Sequence, residues 1–227
     1  KGFGPPVFGG QRSALPVRED RVQSVLKQPG ETDSMIRLGG QLLVDCLLGL
    51  GATKAFGVPG ESYLAVLDAL YDTQGRLDFV LCRHEGGAAF MAAAWGKLTG
   101  SPGIAMVTRG PGATNAAIGV HSAMQDQSPM ILFVGQVGTD LRGREAFQEI
   151  DYRAVFGTMS KWVVEIDRVE RLPELISRAW TVAVSGRPGP VVVALPEDML
   201  ASLTDVPPLA GPLRISEAVP DPKALAE

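Results

Sequence analysis

From Met35 onward the chain alternates short, almost wholly apolar runs with longer segments of helical spacing. The runs at 54–58, 77–82, 103–108 (G-I-A-M-V-T), 130–134 (M-I-L-F-V), 161–166 and 190–195 (P-V-V-V-A-L) read as strands. Helical spacing fills 40–50, 62–71, 86–98, 113–124 and 169–184, with a further helix expected after a polar loop at 136–150. A strand buried on both faces loses the in–out alternation. Continuous apolar strands separated by helices therefore predict a parallel sheet covered on both sides. The expected fold class is α/β: a three-layer α/β/α domain with a mainly parallel six-stranded sheet, over residues 35–202.

The flanks read differently. Residues 1–34 hold five Gly, four Pro and the mixed-charge cluster Arg18-Glu19-Asp20-Arg21, with no sustained period. They read as a disordered or extended tail, with Met35 a candidate start. Past Pro196 the chain turns Pro-rich (Pro207, Pro208, Pro212, Pro220, Pro222), so 203–227 reads as a linker toward a domain absent from this chain, and the chain as a fragment.

Bulk properties narrow the classes. A 45% hydrophobic content suits a sizeable core, and a net charge of −4 without a basic block argues against nucleic acid or an anionic membrane as partner. Cys46 and Cys82 both lie in apolar runs, as core hydrophobes of a reducing compartment would. With only His84 and His121 besides, no metal site is expected within the chain. No uncharged apolar run nears the roughly eighteen residues that span a bilayer, and the first thirty lack a signal-peptide core. A soluble, cytoplasmic protein is expected.

Candidate chemistry sits at three strand exits, where open parallel sheets bind ligands. Phe56-Gly57-Val58-Pro59-Gly60-Glu61 brings bare backbone close to a ligand. Arg83-His84-Glu85 leads into 86–98, a small-residue helix with no acid and one base. Glu85 can cap that helix, or, desolvated beside Phe90 and Met91, can hold a raised pKa and exchange a proton near neutrality. His84 beside it reads as a structural hydrogen-bonder. Thr108-Arg109-Gly110-Pro111-Gly112-Ala113-Thr114-Asn115 opens the next helix, but matches neither G-x-G-x-x-G nor the P-loop. Trp95, Trp162 and Trp180 occupy apolar positions and read as core or interface filler.

Taken together, R-H-E-G-G-A-A-F-M-A-A-A-W-G, T-R-G-P-G-A-T-N, Q-D-Q-S-P-M-I-L-F-V-G-Q-V and A-F-Q-E-I-D, in this order and spacing, resemble the acetolactate synthase-like family of thiamine diphosphate enzymes over residues 35 to about 200. The resemblance implies the N-terminal pyrimidine-binding domain of that family. It implies that Glu85 is the catalytic glutamate, which hydrogen-bonds the aminopyrimidine N1′ and exchanges a proton with it. It also implies cofactor contacts at Pro59, Gly60, Thr108, Pro111 and Asn115, with Gln148 near the reaction centre. His121, on a helix that otherwise reads as core and interface, is a second substrate-side candidate. The family's diphosphate motif, G-D-G followed by N-N, does not occur here, so the diphosphate and its Mg²⁺ are expected on a domain outside this chain. FAD is possible, since its determinants and those of the acceptor lie mostly in other domains of that family.

Val58 and Glu61 stand where that family tends to have Tyr and Gly, and Arg109 where it has a small residue. These departures bear on substrate more than on cofactor. The resemblance implies a 2-oxo acid decarboxylase or carboligase acting as a homodimer or homotetramer. A non-catalytic binding or dimerisation module, a related lyase of different substrate, and a Rossmann- or flavodoxin-like nucleotide domain are the competing readings.

Overall fold

The computed structural model of the protein describes residues 36–211 and, beyond them, Val219, Asp221, Pro222 and Leu225. The tail expected over 1–34, the candidate start Met35 and most of the expected linker past 211 lie outside the described residues.

The elements run β1 (Arg37–Leu38), α1 (Gly39–Gly49), β2 (Lys54–Gly57), α2 (Leu64–Asp72), β3 (Asp78–Leu81), α3 (Glu85–Thr99), β4 (Gly103–Val107), α4 (Gly110–Gln125), β5 (Met130–Gln136), α5 (Tyr152–Phe156), β6 (Trp162–Glu165), α6 (Leu172–Val184), β7 (Pro190–Pro196), α7 (Glu197–Ala201) and β8 (Leu203–Thr204). Six strands form one sheet in the order β3-β2-β4-β5-β7-β6, and every neighbouring pair is parallel. Helices cover both faces, as the apolar runs predict. Every residue of β4, β5 and β7 is buried.

Strand alternation sorts the core into two layers. Ile104, Met106, Ile131, Phe133, Val191 and Val193 point into a layer with α1, α2 and α6. Ala105, Val107, Leu132, Val134, Val192 and Ala194 point into the other, with α3, α4 and α5. Each fully buried Val, Leu or Phe contributes about 1.5–3 kcal/mol. Small residues make the second layer thin: a Cβ on Gly119 of α4 would come to 2.4 Å from Ala89 Cβ of α3.

Three helix starts differ from the sequence reading. The helix expected over 62–71 begins as a 3-10 turn, Glu61–Tyr63, before α2. The segment 169–171 does the same ahead of α6. Helix α4 begins at Gly110 rather than at 113, because Pro111 fits a first turn where no backbone N–H is needed. The stretch read as linker opens with β8, which pairs antiparallel with β1, and the Leu209 carbonyl lies where a Cβ on Gly49 would stand.

The tryptophans differ in setting. Trp180 is buried, Trp95 meets Phe56 edge-on with centroids 6.3 Å apart, and Trp162 is stacked by the Arg178 guanidinium at 4.6 Å. Cys46 and Cys82 are separate buried thiols, and burial pushes Cys46 up to about 11. Among the described residues no helix is long and apolar enough to cross a membrane.

Candidate functional site

The direction of winding reverses between β2 and β4. From β2 the chain passes through α2, on one face, to the edge strand β3. From β4 it passes through α4, on the other face, to β5. The two connections diverge and leave a crevice at the C-terminal ends of β2 and β4, the switch point where such sheets bind ligands. The Val58-Pro59-Gly60 turn and the Thr108-Arg109-Gly110 loop meet there.

Thr108 joins the pieces. Gly60 lies so close to it that a Cβ there would be 2.5 Å from Thr108 Cβ, and Thr108 Oγ1 shares a 2.9 Å hydrogen bond with Ser62 Oγ. On the other side a Cβ on Gly112 would stand 3.2 Å from Thr108 Cγ2 and 3.7 Å from Glu85 Oε1. Bare glycines thus let the exits of β2, β3 and β4 converge. Tyr63 pins the turn from beneath, its hydroxyl donating to the Val58 carbonyl and, at 3.4 Å, to that of Met106. Burial, and then the charge of Glu85, raise the Tyr63 pKa, so it stays a neutral donor.

Glu85 is the first residue of α3. The cap is His84, whose Nδ1 accepts the Gly86 N–H at 3.0 Å, so the capping role open to Glu85 is already filled. Its Oε2 accepts from Asn115 Nδ2 at 3.0 Å, and no described residue bonds Oε1. Within the chain Glu85 is half-buried. Phe90 and Met91, expected to desolvate it, are themselves 44% and 40% exposed, because α3 packs inward on Ala88, Ala89 and Ala92. Any fuller closure over Glu85 has to come from outside the described residues.

Gln148 reaches the crevice through its backbone. It adopts φ +64°, and its carbonyl accepts the Gly110 N–H at 3.0 Å. The turn that presents it winds around the Glu149 carboxylate, which accepts from Gly143 N at 2.8 Å, Ala146 N at 3.3 Å and Arg142 Nε at 3.1 Å. Those bonds, the Gly143 amide first, hold the Glu149 carboxyl below its usual range.

Two of the departures prove to be partners. Arg109, only 7% exposed, donates through Nη1 to Glu61 Oε1 at 2.8 Å and through Nη2 to Glu197 Oε2 at 2.6 Å, while its buried Nε has no partner among the described residues. Burial alone would lower the Arg109 pKa, but the bonds to Glu197 and Glu61 outweigh it and raise the value. The structure therefore gathers Pro59, Gly60, Glu85, Thr108, Pro111, Asn115 and Gln148 along one edge. His121 does not join them: it is exposed on α4, six residues and roughly 9 Å of helix beyond Asn115. Ser62, Tyr63, Glu149 and Glu197 escaped the sequence reading. One signal for Ser62 was available: Gly135 interrupts a central strand, and a Cβ there would strike Ser62 Oγ.

A family model described as thiamine pyrophosphate enzyme, N-terminal TPP binding domain, matches residues 37–155, more than half of the chain. The chain belongs to this family. The matched span of the TPP binding domain contains every strand exit in the crevice, and only Glu197 falls outside it. Relatives include the mitochondrial acetolactate synthase catalytic subunit of Aspergillus candidus, 41% identical over 167 residues, which are 74% of this chain and 24% of that protein. The acetolactate synthase isozyme 3 large subunit of Escherichia coli is 41% identical over 169 residues, 74% of this chain and 29% of the other. Acetolactate synthase of Bacillus subtilis is 38% identical over 180 residues, 79% of this chain and 31% of the other. This TPP binding domain thus spans about a quarter to a third of the length of those relatives. Glu85 Oε1 has no hydrogen-bond partner among the described residues and lies 3.7 Å from where a Cβ on Gly112 would stand.

Proposed function

We propose that this chain is the pyrimidine-activating half of a thiamine diphosphate site in a 2-oxo acid decarboxylase or carboligase of the acetolactate synthase type, with Glu85 as its catalytic acid–base group. The carrying observation is the geometry of Glu85: one oxygen held by Asn115, the other without a partner among the described residues, at the switch point where the exits of β2, β3 and β4 converge. When bound, thiamine diphosphate supplies a nucleophilic carbon that takes up the 2-oxo acid. This chain's own part is to receive and hold a ring. Asn115 fixes the Glu85 carboxyl, the Pro59-Gly60 turn packed on Thr108 borders the ring, and Glu85 Oε1 exchanges a proton with the ring nitrogen. Gln148 borders the substrate side.

The diphosphate and its Mg²⁺ belong, in this reading, to a domain outside the chain, which completes the site and excludes water from Glu85. Phe90 and Met91 on α3 and Ile118 on α4 stay exposed along the helices that lead away from the crevice, and we assign them to a face covered by a second copy. The two buried, separate thiols suit a reducing compartment, the cytoplasm in this proposal.

The test is Glu85→Gln in the whole polypeptide, which keeps the shape and the Asn115 contact but removes the exchangeable acid. Exchange of the C2 proton of bound thiamine diphosphate, followed by NMR, is expected to slow by about 10²–10⁴, the usual contribution of one acid–base group. Exchange as fast as in the parent would reduce Glu85 to a structural residue.

A further inference from the structure

The two departures from the resembled family, Glu61 and Arg109, form a single structural unit with Glu197. Glu61 follows the Pro59-Gly60 turn after β2, Arg109 precedes α4, and Glu197 opens α7 after β7. One guanidinium therefore ties three strand exits together, with its side chain 8% exposed against 67% for Glu61 and 41% for Glu197. Both terminal nitrogens are engaged, so the arginine presents no free fork to a substrate carboxylate. Its backbone lies between Thr108, which packs under Gly60, and Gly110, whose N–H is bonded to the Gln148 carbonyl at 3.0 Å. The Arg109 carbonyl also accepts the Ala113 N–H at 2.9 Å, in the first turn of α4.

We infer that Arg109 is a positioning residue: by bracing Glu61 and Glu197 it holds the 108–112 loop at its working distance from Glu85. The inference rests on the cofactor reading above, but its geometric part can be read without cofactor. A relative with glycine and a small residue at these two positions needs no such brace. Here the exposed carboxylates would repel one another if the arginine were lost. Arg109 and Glu61 consequently act as a coupled pair.

The experiment compares the whole parent polypeptide with Arg109→Met, Arg109→Lys and the double replacement Glu61→Gly with Arg109→Ser. Amide hydrogen exchange at Gly110 and Ala113 reads loop positioning, with amides of β5 as the global reference. Thiamine diphosphate half-saturation, KM and kcat, with pyruvate as the probe substrate, read its consequence. Arg109→Met is expected to speed exchange at the two loop amides about tenfold relative to β5 and to lower kcat about tenfold with little change in KM, since small misplacements in a site have effects of this order. Arg109→Lys is expected not to restore either, because one ammonium cannot span both carboxylates. The double replacement is expected to recover most of both.

Exchange that rises equally in β5 would mean a merely structural role and overturn the inference. Unchanged loop exchange with normal cofactor-dependent turnover would overturn it as well, leaving the cofactor reading intact. Faster loop exchange in a chain whose parent never saturates with thiamine diphosphate would leave the brace standing and sink the cofactor reading instead.

Discussion

Gly119→Ala tests whether α3 and α4 set the geometry of the crevice. A Cβ on Gly119 would meet Ala89 Cβ at 2.4 Å, the Ala89 carbonyl carbon at 2.8 Å and the Phe90 nitrogen at 3.0 Å. None of these is the end of a flexible side chain, so α3 itself has to move, by about 1 Å to restore ordinary contact. Overpacking of this kind costs about 1–3 kcal/mol. The helix gains up to about 1 kcal/mol from replacing glycine by alanine. The expected net loss of about 1–2 kcal/mol lowers Tm by about 2–8 °C in a domain of this size.

Gly87→Ala is the control. It lies in the same helix pair with nothing within 4 Å of its would-be Cβ, and is expected to leave Tm unchanged or slightly raised. Thermal melts by circular dichroism of the three chains decide the matter. A Gly119→Ala melt at or above that of Gly87→Ala would refute the claimed close approach. Because Glu85 lies on α3 and Asn115 on α4, the displacement is also expected to lengthen their 3.0 Å hydrogen bond.

Two further outcomes follow from titrating groups. Glu149, held below its ordinary value of 4.5 by the Gly143 amide and then by Arg142 and Ala146, contributes stability that is fully present above that value and lost as pH falls through the lower folded value. Denaturant melts at pH 7, 5 and 4 are expected to show a steeper acid loss in the parent than in Glu149→Gln; parallel curves would contradict the loop-centred role of the carboxylate. Cys46, pushed up to about 11 by burial, and Cys82, also raised by burial, are expected to resist a soluble thiol reagent at pH 8 until the chain unfolds, and rapid reaction of Cys46 in the native chain would contradict its packing.

The order of strands and helices, the parallel sheet and the three chemical loops were legible in the residues, because they follow from local periodicity and from glycine and proline at fixed places. A run such as M-I-L-F-V has no stable exposed conformation, so its burial is decided by composition alone. The spacing of Glu85 from the apolar strand before it likewise put a carboxylate at a strand exit without any knowledge of neighbours. Other features needed the fold. The neighbours of β2 follow from how helices pack on two faces, so the switch point between β2 and β4 appears only when the sheet is assembled. His84 as the cap depends on a side-chain rotamer, and spacing carries no information about that. Glu61, Arg109 and Glu197 are separated by 48 and 88 residues along the chain, and only convergence of three strand exits makes them one ionic unit. Periodicity reports which residues leave water. Which of the buried and half-buried groups meet one another is decided by long-range packing, and there the chemistry of this domain is assembled.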